Sequence, residues 1–382
     1  MNILYISPRD PRLFNDGNEQ RTNLLWRALK KIGNVYTIVY INENNSKIES
    51  ISDDGSMYAV STNVGNYNRS LKGFLYPLLA KFCGFAYLPF KFPTNVDIFK
   101  IFKDVKIDIV VSRYSRYPAK YHYWEKVPTY VDIDDYPIQL YETRFKYHIP
   151  CFFRPLSRYM LAKQFNSFLK RISGGWISNK EQLLCLKKIS YLPNIPFLPS
   201  ENYNVCQNER KYLFTVGAMS YEPNYRGVDK FLSEIWPTFH EKYPEVQYVI
   251  GGKGAPQEYA SVWKSYEGVS YVGFVDDLEK AYEFCYASVV PIYTGAGTCI
   301  KVLESMAYSR TCLSTKFGAR GMNAVKKNDG LIVFTNADDF IKAFERINNS
   351  YERRVLESEA RGFISQNYSE DKFIKAVIDE IQ

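Results

Sequence analysis

The 382 residues exceed what a single core ordinarily organises and suit two α/β domains, and 46% hydrophobic with 24% charged residues excludes a disordered chain. Seven cysteines, odd in number and without a CxxC pair, point to free thiols of a reducing cytoplasm, and three dispersed histidines (His122, His148, His240) argue against a His-based zinc site. The net charge of +8 is uneven, with 28 Lys+Arg against 16 Asp+Glu in residues 1–200 and 21 against 25 in the rest, so the first half reads either as a docking face for an anionic membrane, a lipid-pyrophosphate acceptor or nucleic acid, or as an ordinary solvated basic face.

In chain order, Asn2–Ser7 reads as a buried strand. Its apolar run ends at Arg9 and Asp10, too short for a signal peptide. A loop with Pro8, Pro11 and Gly17 leads to a helix over Glu19–Ile32, with Leu24, Leu25, Ala28 and Leu29 on one face and Gly33 as its stop. Val35–Ile41, Ile107–Val111, Tyr130–Ile133 and Trp176–Asn179 are expected strands of the same parallel sheet. Two stretches, Leu71–Phe102 and Tyr147–Arg171, interleave aromatic and basic residues. They read either as elements lying on an anionic membrane or as buried helices with snorkelling lysines. No stretch is apolar for long enough to span a bilayer, and no nucleic-acid motif is present.

The proline-rich Tyr191–Pro199 and the polar Ser200–Arg210 mark an interdomain linker. The strand–helix alternation then restarts. Strands are expected at Tyr212–Val216, Val246–Ile250, Tyr271–Val272, Ala287–Ile292, Thr311–Ser314 and Leu331–Phe334, with helices over Val228–Tyr243, Asp277–Phe284 and Thr298–Tyr308. From Ala337 onward the pattern is helical. The expected division is residues 1–199, residues 200–365, and a terminal helix over 366–382 that crosses back to the first domain.

The chemistry concentrates in Gly295-Ala296-Gly297-Thr298-Cys299-Ile300-Lys301-Val302-Leu303-Glu304, a glycine-rich turn between a buried strand and a helix. Such a turn exposes backbone N–H groups at the positive end of the helix dipole and suits a diphosphate. Ile300, Leu303 and Ala307 fall on one face, whereas Thr298, Lys301 and Glu304 recur every three residues on another. Lys301 can neutralise phosphate charge, and Glu304 can accept hydrogen bonds from two ribose hydroxyls. A plain surface Lys–Glu pair is the alternative.

This block resembles the donor-binding segment of GT4-like glycosyltransferases, whose helix carries the second Glu of an E-x7-E motif. Three further segments resemble the same family in the same order. They are Phe214–Asn224, with its Pro223-Asn224 pair, Tyr271–Leu278, and Ser314–Met322. The resemblance, running from Lys211 to Phe334, implies an α/β chain of GT-B fold: two Rossmann-like doubly wound parallel-sheet domains facing a cleft. It implies a cytoplasmic enzyme, at the inner face of the membrane if the basic half binds there. The activity implied is transfer of a sugar from a UDP- or GDP-sugar to a glycan or lipid-linked acceptor, with retention and without metal or other cofactor, in cell-surface polysaccharide or glycoconjugate synthesis.

Donor contacts are implied for Gly17, Gly217, Met219, Phe274, Val275, Gly295, Ala296, Gly297, Thr298, Lys301 and Glu304. Arg21, Arg113, Arg116 and Asp132 are implied on the acceptor side, and catalytic roles fall to Lys301, Glu304, Asp134 and Asp135, although strand-end aspartates are often only turn or helix caps. Two positions depart from the family. Ala296 stands where the first Glu of E-x7-E belongs, and the usual Arg/Lys pair of the first loop is not matched by Arg226 or Lys230. A donor-binding relative without activity is therefore a second reading, and a GT-B sugar-nucleotide 2-epimerase a third.

Overall fold

The computed structural model describes residues 1–41, 47–61, 91, 96–103, 105–134, 136–143, 145–200, 203, 210–295, 297–322 and 330–382. It divides into one unit of Met1–Pro193 with Glu370–Gln382 and another of Asn194–Ser369.

The first unit is built on β1 (Asn2–Ser7), whose Ile3, Leu4, Tyr5 and Ile6 are wholly buried. A continuous apolar run of this kind fits a central parallel strand covered on both faces. Around it lie β2 (Asn34–Tyr40), β3 (Lys47–Ser50), β4 (Met57–Ser61), β5 (Ile109–Arg113), β6 (Thr129–Asp132), β7 (Gly174–Ile177) and β8 (Ser190–Tyr191), in the order β3-β4-β2-β1-β5-β6-β7-β8. All pairs are parallel except β3 with β4. β3 is exposed and alternates Lys47 and Glu49 outward, as suits an edge.

The first helix, α1, spans Gly17–Lys30 rather than Glu19–Ile32. Asp16 caps it by accepting from the N–H groups of Asn18 and Glu19, so Gly17 lies in the helix and not in a loop. Then come α2 (Arg116–Tyr121), α3 (Pro137–Thr143) and α4 (Arg154–Arg171). Most of Leu71–Phe102 lies outside the described residues.

In the second unit the elements are β9 (Tyr212–Val216), α5 (Glu222–Glu234), α6 (Trp236–Lys242), β10 (Gln247–Gly251), α7 (Gln257–Trp263), β11 (Val269–Gly273), α8 (Leu278–Glu283), β12 (Cys285–Val290), α9 (Ile300–Ala307), β13 (Cys312–Thr315), β14 (Leu331–Phe334), α10 (Ala337–Asn348) and α11 (Ser350–Asn367). The single helix expected over Val228–Tyr243 is two helices broken at Ile235, because Pro237 cannot continue the hydrogen-bond ladder of α5. The sheet is wholly parallel, in the order β11-β10-β9-β12-β13-β14. Its core is aromatic, with Phe231, Trp236, Phe239, Phe340 and Phe344 packed together. The chain then returns to the first unit as α12 (Glu370–Ile381), which packs on α1 with Phe373 beneath the Arg21 guanidinium and Glu370 paired to Arg27 at 2.8 Å. Among the described residues Cys151, Cys285, Cys299 and Cys312 are free thiols, and no helix is long and apolar enough to cross a membrane.

Candidate functional site

In each sheet the strand order reverses beside one strand, at β1 in the first unit and β9 in the second. The crevice outside the carboxyl ends at such a switch point is where open α/β sheets place ligands. In the second unit the loops leaving β9 and β12 border that crevice.

The loop after β9 is shaped around Lys301. A β-carbon built on Gly217 would stand 2.2 Å from Lys301 Cε and 3.0 Å from its Nζ, so a side chain there would displace the lysine. Lys301 Nζ donates to Asn224 Oδ1 at 3.1 Å, and Asn224 in turn donates from Nδ2 to the Ala218 carbonyl at 2.7 Å. The ammonium is therefore anchored over the loop by one neutral acceptor and faces the start of α9. Cys299 precedes α9 and gives it no side-chain cap, and α5 lacks one as well. The N–H groups of Ile300 and Lys301 open α9 at the positive end of its dipole, whereas those of Val302 and, in α5, Asn224 are already bonded to the Cys299 and Tyr221 carbonyls.

The loop after β12 reaches the same place. Gly295 has φ +123°, a conformation that favours glycine, and a β-carbon on it would come within 3.6 Å of the Tyr221 hydroxyl and 3.7 Å of Arg320 Nη2. Thr315, at the end of β13, donates to the Ile292 carbonyl and accepts from Gly318 N–H at 3.0 Å, which ties the loops after β12 and β13 together. Arg320 thus brings a second cation beside the glycine turn, its guanidinium over the Phe317 ring at 4.3 Å. Its place is visible only once β13 is known to lie beside β12. Gly297 is buried and Thr298 half-buried before α9, while Ala296 lies outside the described residues.

Glu304 is not on an open stripe with Lys301. It is buried, and its Oε1 accepts from the Tyr282 hydroxyl at 3.1 Å, with the Tyr282 ring stacked on Tyr308 at 4.6 Å. Burial raises its carboxyl to about 7, against the opposing pulls of the Tyr282 hydroxyl and Lys301. The expected Thr298–Lys301–Glu304 stripe divides accordingly, with Lys301 toward the crevice and Glu304 in an aromatic floor behind it. The reason is that α9 buries every residue from Val302 to Ala307, leaving only its first turn toward solvent. Phe274, beyond β11, is 55% exposed and stacks under Lys253 Nζ at 3.9 Å, a contact the sequence did not suggest, while Val275 is half-buried against Gly251. Met219 is a correction. Its side chain is fully buried in the hydrophobic core beneath α5 and offers nothing to a ligand.

At the switch point of the first unit the expected acceptor-side cations are turned inward. Arg21 donates to Asp132 from Nε at 2.8 Å and Nη2 at 2.7 Å, and spends Nη1 on the carbonyls of Leu192 and Pro193. Arg113 shares Asp132 Oδ2 with the Nε of Arg21, donating from Nη1, and also reaches Thr22 Oγ1 at 3.2 Å, Asn18 Oδ1 at 3.0 Å and Asp134 Oδ2 at 3.1 Å. All three charged groups are buried. Burial alone would raise the Asp132 carboxyl, but the two guanidiniums outweigh it and hold it below the ordinary carboxylate value. These residues form a buried charge-compensated cluster, and the carboxylate cap of Asp16 already occupies the start of α1 beside Gly17. Two groups remain available. Arg116 is exposed over the Tyr114 and Tyr117 rings, and Asp134, half-buried in the left-handed region at φ 53°, lies at the outer end of the cluster. Asp135 lies outside the described residues. No group of three or more metal-ligating side chains occurs among the described residues.

Over 173 residues, 44% of this chain, the sequence is 24% identical to an uncharacterized glycosyltransferase of Haemophilus influenzae, covering 48% of that protein. The chain spans about half the length of the curated relatives it matches. A glycosyltransferase from Rickettsia africae superposes with a TM-score of 0.60 at 16% identity, over 99% of this chain and 97% of that one. The Anabaena protein HepE, solved in complex with UDP and glucose, superposes with a TM-score of 0.61 at 11% identity, over 99% and 98%. These likenesses establish the fold as GT-B. Residues 210–350 match the family described as glycosyl transferases group 1. Through this segment of its second unit the chain is similar to the glycosyl transferases group 1.

Proposed function

We propose that this chain is a glycosyltransferase that moves a sugar from a UDP- or GDP-sugar to a glycan or lipid-linked acceptor in cell-surface polysaccharide or glycoconjugate synthesis. The observation that carries the reading is the Lys301 ammonium held against Gly217 beside the uncapped start of α9, at the switch point of the second sheet. A diphosphate leaving group seated there meets Lys301, Arg320 and backbone N–H groups. Preorganised positive charge of this kind stabilises the developing charge of a departing diphosphate without a metal ion. Retention of configuration is the outcome expected where the leaving phosphate itself takes the acceptor proton. Asp134 then orients the acceptor hydroxyl, and Glu304 with Tyr282 supports the nucleoside. HepE, solved with UDP and glucose, favours UDP as the first donor to try.

Release of UDP or GDP from a panel of sugar nucleotides, with and without lipid-linked and oligosaccharide acceptors, tests this reading. Turnover that falls at least tenfold in Lys301→Ala supports it. Saturable nucleotide binding with no turnover across the panel would replace it with a donor-binding relative without activity.

We further propose that the first unit meets an anionic membrane from the cytoplasmic side. Helix α4 is apolar on two opposite faces. Leu161, Phe165 and Phe168 enter the core, whereas Leu156 and Tyr159, with Phe152 just before the helix and Tyr147 nearby, are exposed by 50%, 62%, 73% and 65%. Exposed aromatics gathered on one surface mark an interaction site. Lys146, Arg154, Arg158 and Lys163 lie close to it in the chain, with Glu142 paired to Lys146 and Arg158 among the described residues, which suits anionic lipid.

A further inference from the structure

The second unit contains a cavity of about 620 Å³ far from the crevice just described. It is lined by Arg210, Ser309, Arg353, Arg354, Glu357 and Arg361. Arg210 precedes β9 and Ser309 precedes β13, so the cavity opens at the amino ends of the strands, whereas the crevice lies at their carboxyl ends. Its outer wall is the face of α11 that carries Arg354 and Arg361, with serine hydroxyls between them.

Charge in this place is unbalanced. Among the described residues Glu357 is the one carboxylate in the lining, and it is already committed to Arg210, at 2.9 and 3.2 Å, and to Arg310 behind it at 3.4 Å. Arg353, Arg354 and Arg361 add three more cations, and the first two stand near the positive amino end of α11, where the helix dipole disfavours them. Two buried polar atoms in the lining, Arg210 Nε and Ser309 Oγ, make no hydrogen bond. A buried polar atom without a partner costs roughly 1–3 kcal/mol, so two of them in residues that line one cavity, under excess positive charge, favour an acceptor there. Burial and the neighbouring Arg310 also lower the pKa of Arg210, a strain that an anion would relieve.

From this we infer that the cavity is a second binding site, for a small molecule carrying at least two phosphate charges. Arginine presents planar, forked donors matched to phosphate oxygens, and serine hydroxyls complete such sites. The volume is in the range of small-molecule pockets and exceeds what a lone phosphate fills.

Inorganic pyrophosphate is the probe, applied to the Lys301→Ala protein so that the crevice at the carboxyl ends is weakened. At constant ionic strength, pyrophosphate raises the melting temperature of that protein by mass action. Adding Arg354→Ala and Arg361→Ala weakens pyrophosphate binding at least tenfold. Both side chains are exposed, so the fold and the ligand-free melting temperature are retained, as circular dichroism checks. With Lys301 intact, UDP still raises the melting temperature after the same two substitutions, which separates this site from the donor site. A pyrophosphate response unaltered by loss of the two arginines overturns the inference. So does the absence of any response at millimolar pyrophosphate.

Discussion

Gly217 and Lys301 compete for one volume: the space a β-carbon would take on Gly217 is occupied by the Lys301 side chain, 2.2 Å away at Cε. The glycine therefore lets the loop after β9 lie against the lysine of α9. Gly217→Ala should displace the ammonium and weaken nucleotide binding nearly as much as Lys301→Ala. A charge-assisted contact to phosphate is worth about 1.5–3 kcal/mol, or roughly 10- to 100-fold in affinity. Calorimetric titration with UDP and GDP checks both variants, and undiminished affinity in Gly217→Ala would show that the lysine does not hold the donor from this position.

Glu304 should make stability fall with rising pH. Burial lifts its carboxyl from 4.5 to about 7 in the folded protein, so the folded state keeps a proton that the unfolded chain releases. The cost therefore grows as pH rises from 4.5 through 7 and is complete above that, at about 3 kcal/mol. Glu304→Gln removes it, so the variant should melt close to wild type at pH 5 and clearly higher at pH 8. A melting-temperature gap that does not change with pH would mean the carboxyl is ordinary. The same variant should lose nucleotide affinity.

The buried cluster of the first unit predicts opposite phenotypes for neighbouring aspartates. Asp132→Asn leaves the buried Arg21 guanidinium uncompensated and Arg113 with Asp134 alone, and breaking such a pair costs about 3–5 kcal/mol. Asp134→Asn, at the rim, should barely change stability while lowering transfer. Since the folded-state carboxyl of Asp132 sits below 3.8, its contribution is present above that pH and is lost as pH falls through the folded value. Urea unfolding at neutral and acid pH, beside turnover for each variant, tests the contrast. Equal stability loss in both would show that Asp134 is structural.

The outer face of α4 should govern membrane affinity. Phe152→Asp combined with Leu156→Glu should abolish co-sedimentation with phosphatidylglycerol vesicles and leave melting temperature unchanged. Wild-type binding should weaken with salt, because the Debye length shortens to about 3 Å at 1 M. Failure of the wild-type protein to sediment with anionic vesicles at low salt would remove the membrane from this account.

Much of the fold was legible in order. The strands at Asn2–Ser7 and Tyr212–Val216 are apolar runs bounded by polar and turn residues, and Gly33 marks the stop of the first helix, whereas the break that Pro237 imposes was hidden by the apolar pattern continuing on both sides of it. β3 escaped notice because Lys47-Ile48-Glu49-Ser50 is exposed throughout and owes its strand geometry to pairing with β4. Helix α7 escaped because only Trp263 in it is buried, leaving no apolar stripe.

The sequence by itself determined the chemical inventory: a glycine turn, a lysine and a glutamate in one short block, after an apolar strand. Local pattern suffices there because spacing along one turn and one helix is a short-range property. The tertiary structure alone decided which of these groups reaches open space. Periodicity set Lys301 and Glu304 on a common stripe, but α9 is packed on nearly every side, so one faces the crevice and the other an aromatic floor. Long-range pairing likewise turned Arg21 and Arg113 inward onto Asp132 and left Arg354 and Arg361 facing an open cavity. A charge inside a folded chain is disposed according to what neutralises it, and that partner usually comes from a distant part of the sequence.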